Sequence, residues 1–103
     1  MRPIPKKLRE EMASDPFYKR CCITNHVLGK IEWHHHLIFA GKQVNEKWCI
    51  LPISKFVHDN LCHFKKKLNW IMYNRATDEE LKKYSGVVNL ISERDKLNKL
   101  YGK

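Results

Sequence analysis

IEWHHHLIFAGKQVNEKWCILPISKFVHDNLCH, residues 31–63, holds five of the six histidines of the chain: His34, His35 and His36 in a row, then His58 and His63. Neutral imidazole is both a transition-metal ligand and a proton acceptor near pH 7, so three in succession beside Trp33 and Trp48 mark this stretch as the candidate active site. Residues 30–37 (KIEWHHHL) are rich in strand formers. Residues 39–45 (FAGKQVN) carry Gly41 as a loop signal, and residues 47–53 (KWCILPI) form a short apolar run in which Pro52 marks the end. Ser54 is placed to cap a helix through Phe56, Val57, Leu61 and Phe64, whose apolar spacing is helical rather than alternating. The predicted order is strand, loop, strand, helix, with histidines at the end of the first strand and in the helix.

In a strand, adjacent side chains point to opposite faces, so His34 and His35 are free to do different work, while His36 shares a face with His34. On the helix, His58 and Cys62 are four apart and lie on one face, whereas His63 is rotated from His58 by roughly 140° at 3.6 residues per turn. A magnesium ion would reject a thiolate, so Cys62 enters the reading only for zinc. Asp59 is placed to orient a histidine. Lys42 and Gln43, in the predicted loop, and the cationic run Lys65, Lys66 and Lys67, with Asn69, Trp70 and Tyr73 beside it, are candidate nucleic-acid contacts. Trp33 and Trp48 read as core residues rather than stacking platforms.

The rest of the chain bounds the answer. At 103 residues it accommodates one small domain, 1–103, with a core at about 30–64 and a helical buttress at about 65–103. Twenty Lys and Arg against eleven Asp and Glu give a net charge of +9, which favours a polyanionic partner. The four cysteines (Cys21, Cys22, Cys49, Cys62) form no secreted-type framework, and no membrane-length apolar run is present. A cytoplasmic location with reduced thiols is expected. Pro5 suits a first helical turn, followed by a helix over residues 6–14 with Leu8 and Met12 four apart and ended by Asp15-Pro16. Residues 17–25 and 29–34 read as a hairpin with its turn at residues 25–29. Cys21, Cys22 and His26 are a possible zinc set with a distant cysteine, but packing as buried thiols is the preferred reading. Thr77–Glu80 (TDEE) is a capping box opening a short helix, and Val88, Ile91, Leu97 and Leu100 form the stripe of a last amphipathic helix.

The wording WHHHLIFAGKQVNEKWCILP resembles the His-Me finger, or HNH, nucleases, in a phage-type subgroup where a His pair is followed by an aromatic-Ala-Gly-Lys/Arg-Gln turn and a Trp strand. The resemblance spans roughly residues 17–64. It implies an α+β fold: a small ββα-metal finger with an N-terminal hairpin and helix and C-terminal helices. It implies a metal-dependent DNA endonuclease, in phage recombination or DNA processing inside a bacterial host cell, using magnesium or manganese, with zinc or nickel as alternatives. Carried over, His34 ligates the ion, His35 is the general base and His58 is the helix ligand, with His63 a further ligand. A register shifted by one makes His35 the ligand and His36 the base. The family's central Asn falls near Cys49, with Asn45 the nearest Asn, and the CxxC pairs of many relatives are replaced, so no complete zinc knuckle is expected. Two other readings stay open: a non-catalytic zinc-binding nucleic-acid module, and a degenerate finger serving protein interaction.

Overall fold

The computed structural model describes residues 4–25, 30–86 and 88–102. Pro5, whose missing amide hydrogen costs nothing at a helix start, precedes α1 (Lys6–Ala13). The predicted Leu8–Met12 pair is its inner face. Met12 is fully buried, in a small cluster with Tyr18 and Ile50 against which Leu8 and Trp33 pack.

The chain then departs from expectation. Residues 16–25 do not form a strand: Pro16–Lys19 is a 3-10 turn, capped by Asp15, whose carboxylate accepts from the Phe17 amide at 3.0 Å. Pro16 presets the helical φ of that turn. Tyr18 is driven inward, and its hydroxyl donates to the carbonyls of Lys47 and Ile50. A tight turn follows, with the Asn25 amide donating to the Cys21 carbonyl at 2.8 Å and Asn25 in the left-handed region at φ 61°. The expected hairpin is thereby corrected; of its turn at residues 25–29, residues 26–29, with His26, lie outside the described residues.

β1 (Ile31–His35) finds its partner downstream instead. It pairs antiparallel with β4 (Ile50–Ser54), with His34 opposite Leu51 and His35 opposite Ile50. Between them lies a second small sheet, β2 (Ile38–Phe39) with β3 (Lys42–Gln43), where a plain loop was expected. Its two-residue turn has Ala40 and Gly41 both at positive φ, 53° and 77°, the mirror-type turn that matches strand twist.

β4 is buried on both faces. Ile50 faces the α1 cluster, while Leu51 and Ile53 join the main core with Val57, Leu68, Met72 and Leu81. Ser54 ends the strand and caps α2 (Lys55–Asp59), its hydroxyl accepting from the Val57 amide at 3.4 Å. The helix does not run on continuously as expected. Asn60 leaves the helical region (φ −125°, ψ 34°), its side chain donating to the Phe56 carbonyl at 2.8 Å, and α3 (Leu61–Arg75) starts afresh.

Two helices close the fold. α4 (Asp78–Lys83) begins at the predicted capping box: the Thr77 hydroxyl accepts from the Glu80 amide at 3.1 Å and the Glu80 carboxylate accepts from the Thr77 amide at 2.9 Å. Thr77→Ala is expected to cost about 1 kcal/mol of stability by removing one of those acceptors, measured as a lowered urea midpoint with unchanged slope. α5 (Leu90–Tyr101) packs against α3 and α4 through buried Leu90 and partly buried Ile91 and Leu97. Val88 and Leu100, assigned to its apolar stripe, are exposed because Val88 precedes the helix and Leu100 lies in its last turn. Trp33 and Trp48 pack inward as expected, Trp48 being buried beside Tyr84. Among the described residues the architecture is α+β, with five helices and two small antiparallel sheets, and no helix is long and apolar enough to cross a membrane.

Candidate functional site

Strand alternation along β1 puts Glu32 and His34 on one face and Trp33 and His35 on the other, and His36, just past the strand with its amide donating to the Cys49 carbonyl at 2.9 Å, continues the first face. Because α2 follows β4 without a loop, His58 is carried back over the first of these faces. The His34 ring lies 5.4 Å from that of His36 and 6.3 Å from that of His58, centroid to centroid. Side chains from both faces line common cavities. A cavity of 130 Å³ is lined by Glu32, Trp33, His34, His35, Gln43 and His58. A larger one of 360 Å³ shares His34, His35 and Gln43 and adds His36, Cys62 and Lys65.

Two of the three consecutive histidines are held by asparagines. His35, only 7% exposed, has Nε2 at 2.6 Å from Asn45 Oδ1, and His36 has Nε2 at 2.6 Å from Asn69 Oδ1. An amide oxygen only accepts, so each Nε2 carries the hydrogen and each Nδ1 keeps its lone pair. Asn45 was the nearest asparagine to the position the family resemblance requires. Its neighbour Val44 is buried and its amide donates to the Leu37 carbonyl at 3.3 Å, which holds residue 45 near the end of β1.

Burial disfavours the charged form of two of these imidazoles, His34 and His36. Burial pushes His34 down to about 4, with the neighbouring His36, His58 and His35 adding to the effect. Burial also lowers His36, an effect partly offset by its hydrogen bond to the Asn69 side-chain oxygen. The His34 shift has a consequence for stability. Below about pH 6.5 the unfolded chain takes up a proton at residue 34 that the folded chain accepts only near pH 4. Metal-free protein is therefore expected to lose stability as pH falls through that window, by roughly 2 kcal/mol after allowance for partial exposure. Urea unfolding at pH 7 and pH 4.5 measures it, and His34→Gln should shrink the difference.

One oxygen in the site has no hydrogen bond. Glu32 Oε2 is buried, 3.9 Å from His58 Nδ1, and makes none with any described residue. Asp59 Oδ1 approaches the same nitrogen at 3.7 Å, and the Lys55 ammonium holds the Asp59 carboxyl below the usual carboxylate range. Imidazole nitrogens beside a carboxylate oxygen that makes no hydrogen bond are a donor set whose chemistry suits a divalent cation. Imidazoles sharing one ion at bond lengths of about 2.1 Å have centroids roughly 5 Å apart, so His34 and His36 are near that spacing and His58 must close in slightly. Among the described residues no three such side chains already converge on one point. His58 is half-exposed on the short α2, which leaves its ring room to swing.

The other predicted residues divide. Gln43 and Lys65 line the histidine cavities; Lys42 and Lys66 are exposed, and Lys67 is half-buried. His63 is exposed and lines neither cavity, even though the helix breaks at Asn60 just before it. Cys62 is exposed at the rim of the larger one. The structure adds Glu32, which the two-residue repeat from His34 would have disclosed, and the role of Asn69, for which no local signal exists. No protein-family model, curated protein or solved structure matches this chain.

Proposed function

We propose that this protein is a metal-dependent endonuclease of the HNH type that hydrolyses phosphodiester bonds in DNA. The observation that carries the reading is the division of labour at the end of β1: His34 faces His58 across the strand–helix junction, while His35, on the opposite face, is locked by Asn45. The strand, hairpin, strand and helix from β1 to α2 are in the order a ββα finger needs.

His34 and His58 would hold the divalent ion, which when bound neutralises charge on the phosphate and the departing oxygen. His35 accepts the proton of the attacking water at Nδ1, the nitrogen that Asn45 leaves free. Water oxygen bonds to phosphorus as the bond to the 3′ oxygen breaks, and that oxygen leaves as a hydroxyl once protonated. Gln43 and Lys65 line the cavity where the scissile phosphate sits, and Lys42, Lys66 and Lys67 follow the flanking backbone. The net charge of +9 makes binding steeply salt-dependent.

The thiols support this reading over a zinc-binding module: Cys21 and Cys49 are packed in the apolar interior while Cys62 is exposed, so these three thiols do not gather into one ligand set. Nicking of supercoiled plasmid by the wild-type chain, assayed with magnesium, manganese, zinc and nickel, tests the proposal. Nicking that starts with a divalent ion and stops on chelation is expected. No nicking with any of them, with DNA binding no tighter than a charge-matched control, returns the fold to a protein-interaction role.

A further inference from the structure

We infer that the ion is gripped by three imidazoles, His34, His36 and His58, with His36 presenting Nδ1 because Asn69 occupies its other nitrogen. This rests on the metal site proposed above and assigns its ligand set and metal class. His36 shares the strand face of His34, and its ring is the nearer of the two neighbours, 5.4 Å against 6.3 Å for His58. A ligating histidine nearly always donates its second N–H to a carbonyl or carboxylate, which fixes tautomer and ring orientation. Asn69 supplies that acceptor from α3, at 2.6 Å. At His58 the Glu32 and Asp59 carboxylates stand 3.9 Å and 3.7 Å from Nδ1, longer than hydrogen bonds but on the side of the ring that leaves Nε2 for the ion.

The same geometry separates His36 from the role of base. A base must stand apart from the ion so that water and phosphate fit between them; His36 lies on the same face as His34, whereas His35 is on the other. Three nitrogen donors also choose the metal. Imidazole suits zinc, nickel, copper, cobalt and iron, while magnesium demands oxygen ligands. The site is thus a transition-metal site, and magnesium is a poor occupant of it.

Cobalt(II) titration of the metal-free full-length chain, followed by its visible absorption, tests this without reference to activity. The wild type is expected to bind one cobalt with a nitrogen-ligand spectrum and to bind magnesium at least about a hundredfold more weakly. His36→Ala should weaken cobalt binding by roughly tenfold or more and change the absorption band. Asn69→Ala should weaken it about 10- to 100-fold with the band retained. His63→Ala should match the wild type. Circular dichroism confirms folding of each variant; if His36→Ala does not fold, Asn69→Ala decides. His36→Ala, or in its place Asn69→Ala, binding cobalt as tightly as the wild type overturns the inference.

Plasmid nicking then tells the two proposals apart. A wild type that nicks with magnesium but binds no cobalt sinks the three-imidazole site and leaves the nuclease standing. Cobalt held by His36 in a protein that nicks with no ion does the reverse.

Discussion

His35→Ala is expected to lower plasmid nicking by about 10²- to 10⁴-fold, the range over which a positioned general base contributes, while metal affinity stays within about twofold of wild type. The reason is orientation. His35 sits on the face of β1 away from His34, the proposed ion ligand, and its hydrogen bond to Asn45 leaves it one ring nitrogen for the proton. Since the residue is 7% exposed, its removal opens a small void, so His35→Gln, close in volume and unable to act as a base at neutral pH, is the companion variant. Asn45→Ala should fall between them and the wild type, at about 10- to 100-fold, because the ring survives but its tautomer is no longer set. His58→Ala should lose both metal and nicking. If His35→Ala nicks normally while His36→Ala is inactive with full metal affinity, the assignment is displaced by one residue and His36 is the base.

Leu51→Ala is expected to cost 2–5 kcal/mol, enough to remove a large part of the roughly 5–15 kcal/mol that stabilises a small domain. Leu51 is fully buried in the middle of β4, in the cluster that includes Leu68 and Met72, and it stands opposite His34 in the ladder. The helices behind β4 cannot collapse into the gap without moving the strand that aligns the histidines. Urea unfolding gives the number, through a midpoint shift at constant slope. A loss below about 1 kcal/mol would mean that the main core does not run beneath β4. The exposed Phe56, 61% accessible on α2, is the control, since its truncation should change stability by no more than about 0.5 kcal/mol.

Residues 31–63 largely announced their own structure, and the physical reason is range. The Ser54 cap, the turn at Gly41 and the alternation that parts His34 from His35 each depend on neighbours within a few positions, as do Pro5 before α1 and the Thr77–Glu80 box. Signals of that length are written in consecutive residues. That His34 and His58 face one another was implied by the family resemblance, and a return strand feeding directly into a helix has few other ways to travel.

What only the tertiary structure decided depends on partners far along the chain. Residues 17–25 have strand-forming composition, yet the Tyr18 hydroxyl is claimed by Lys47 and Ile50, so the segment turns instead of extending. His36 acquires its orientation from Asn69, 33 positions later, and Glu32 meets His58 only because α2 folds back over β1. His63 carries the same imidazole as His58 and stays outside, since the break at Asn60 does not turn it toward the cavity. The identity of the histidines was local information; which of them face one another, and what holds each ring in place, was set by the packing of α2 and α3 against a two-stranded sheet.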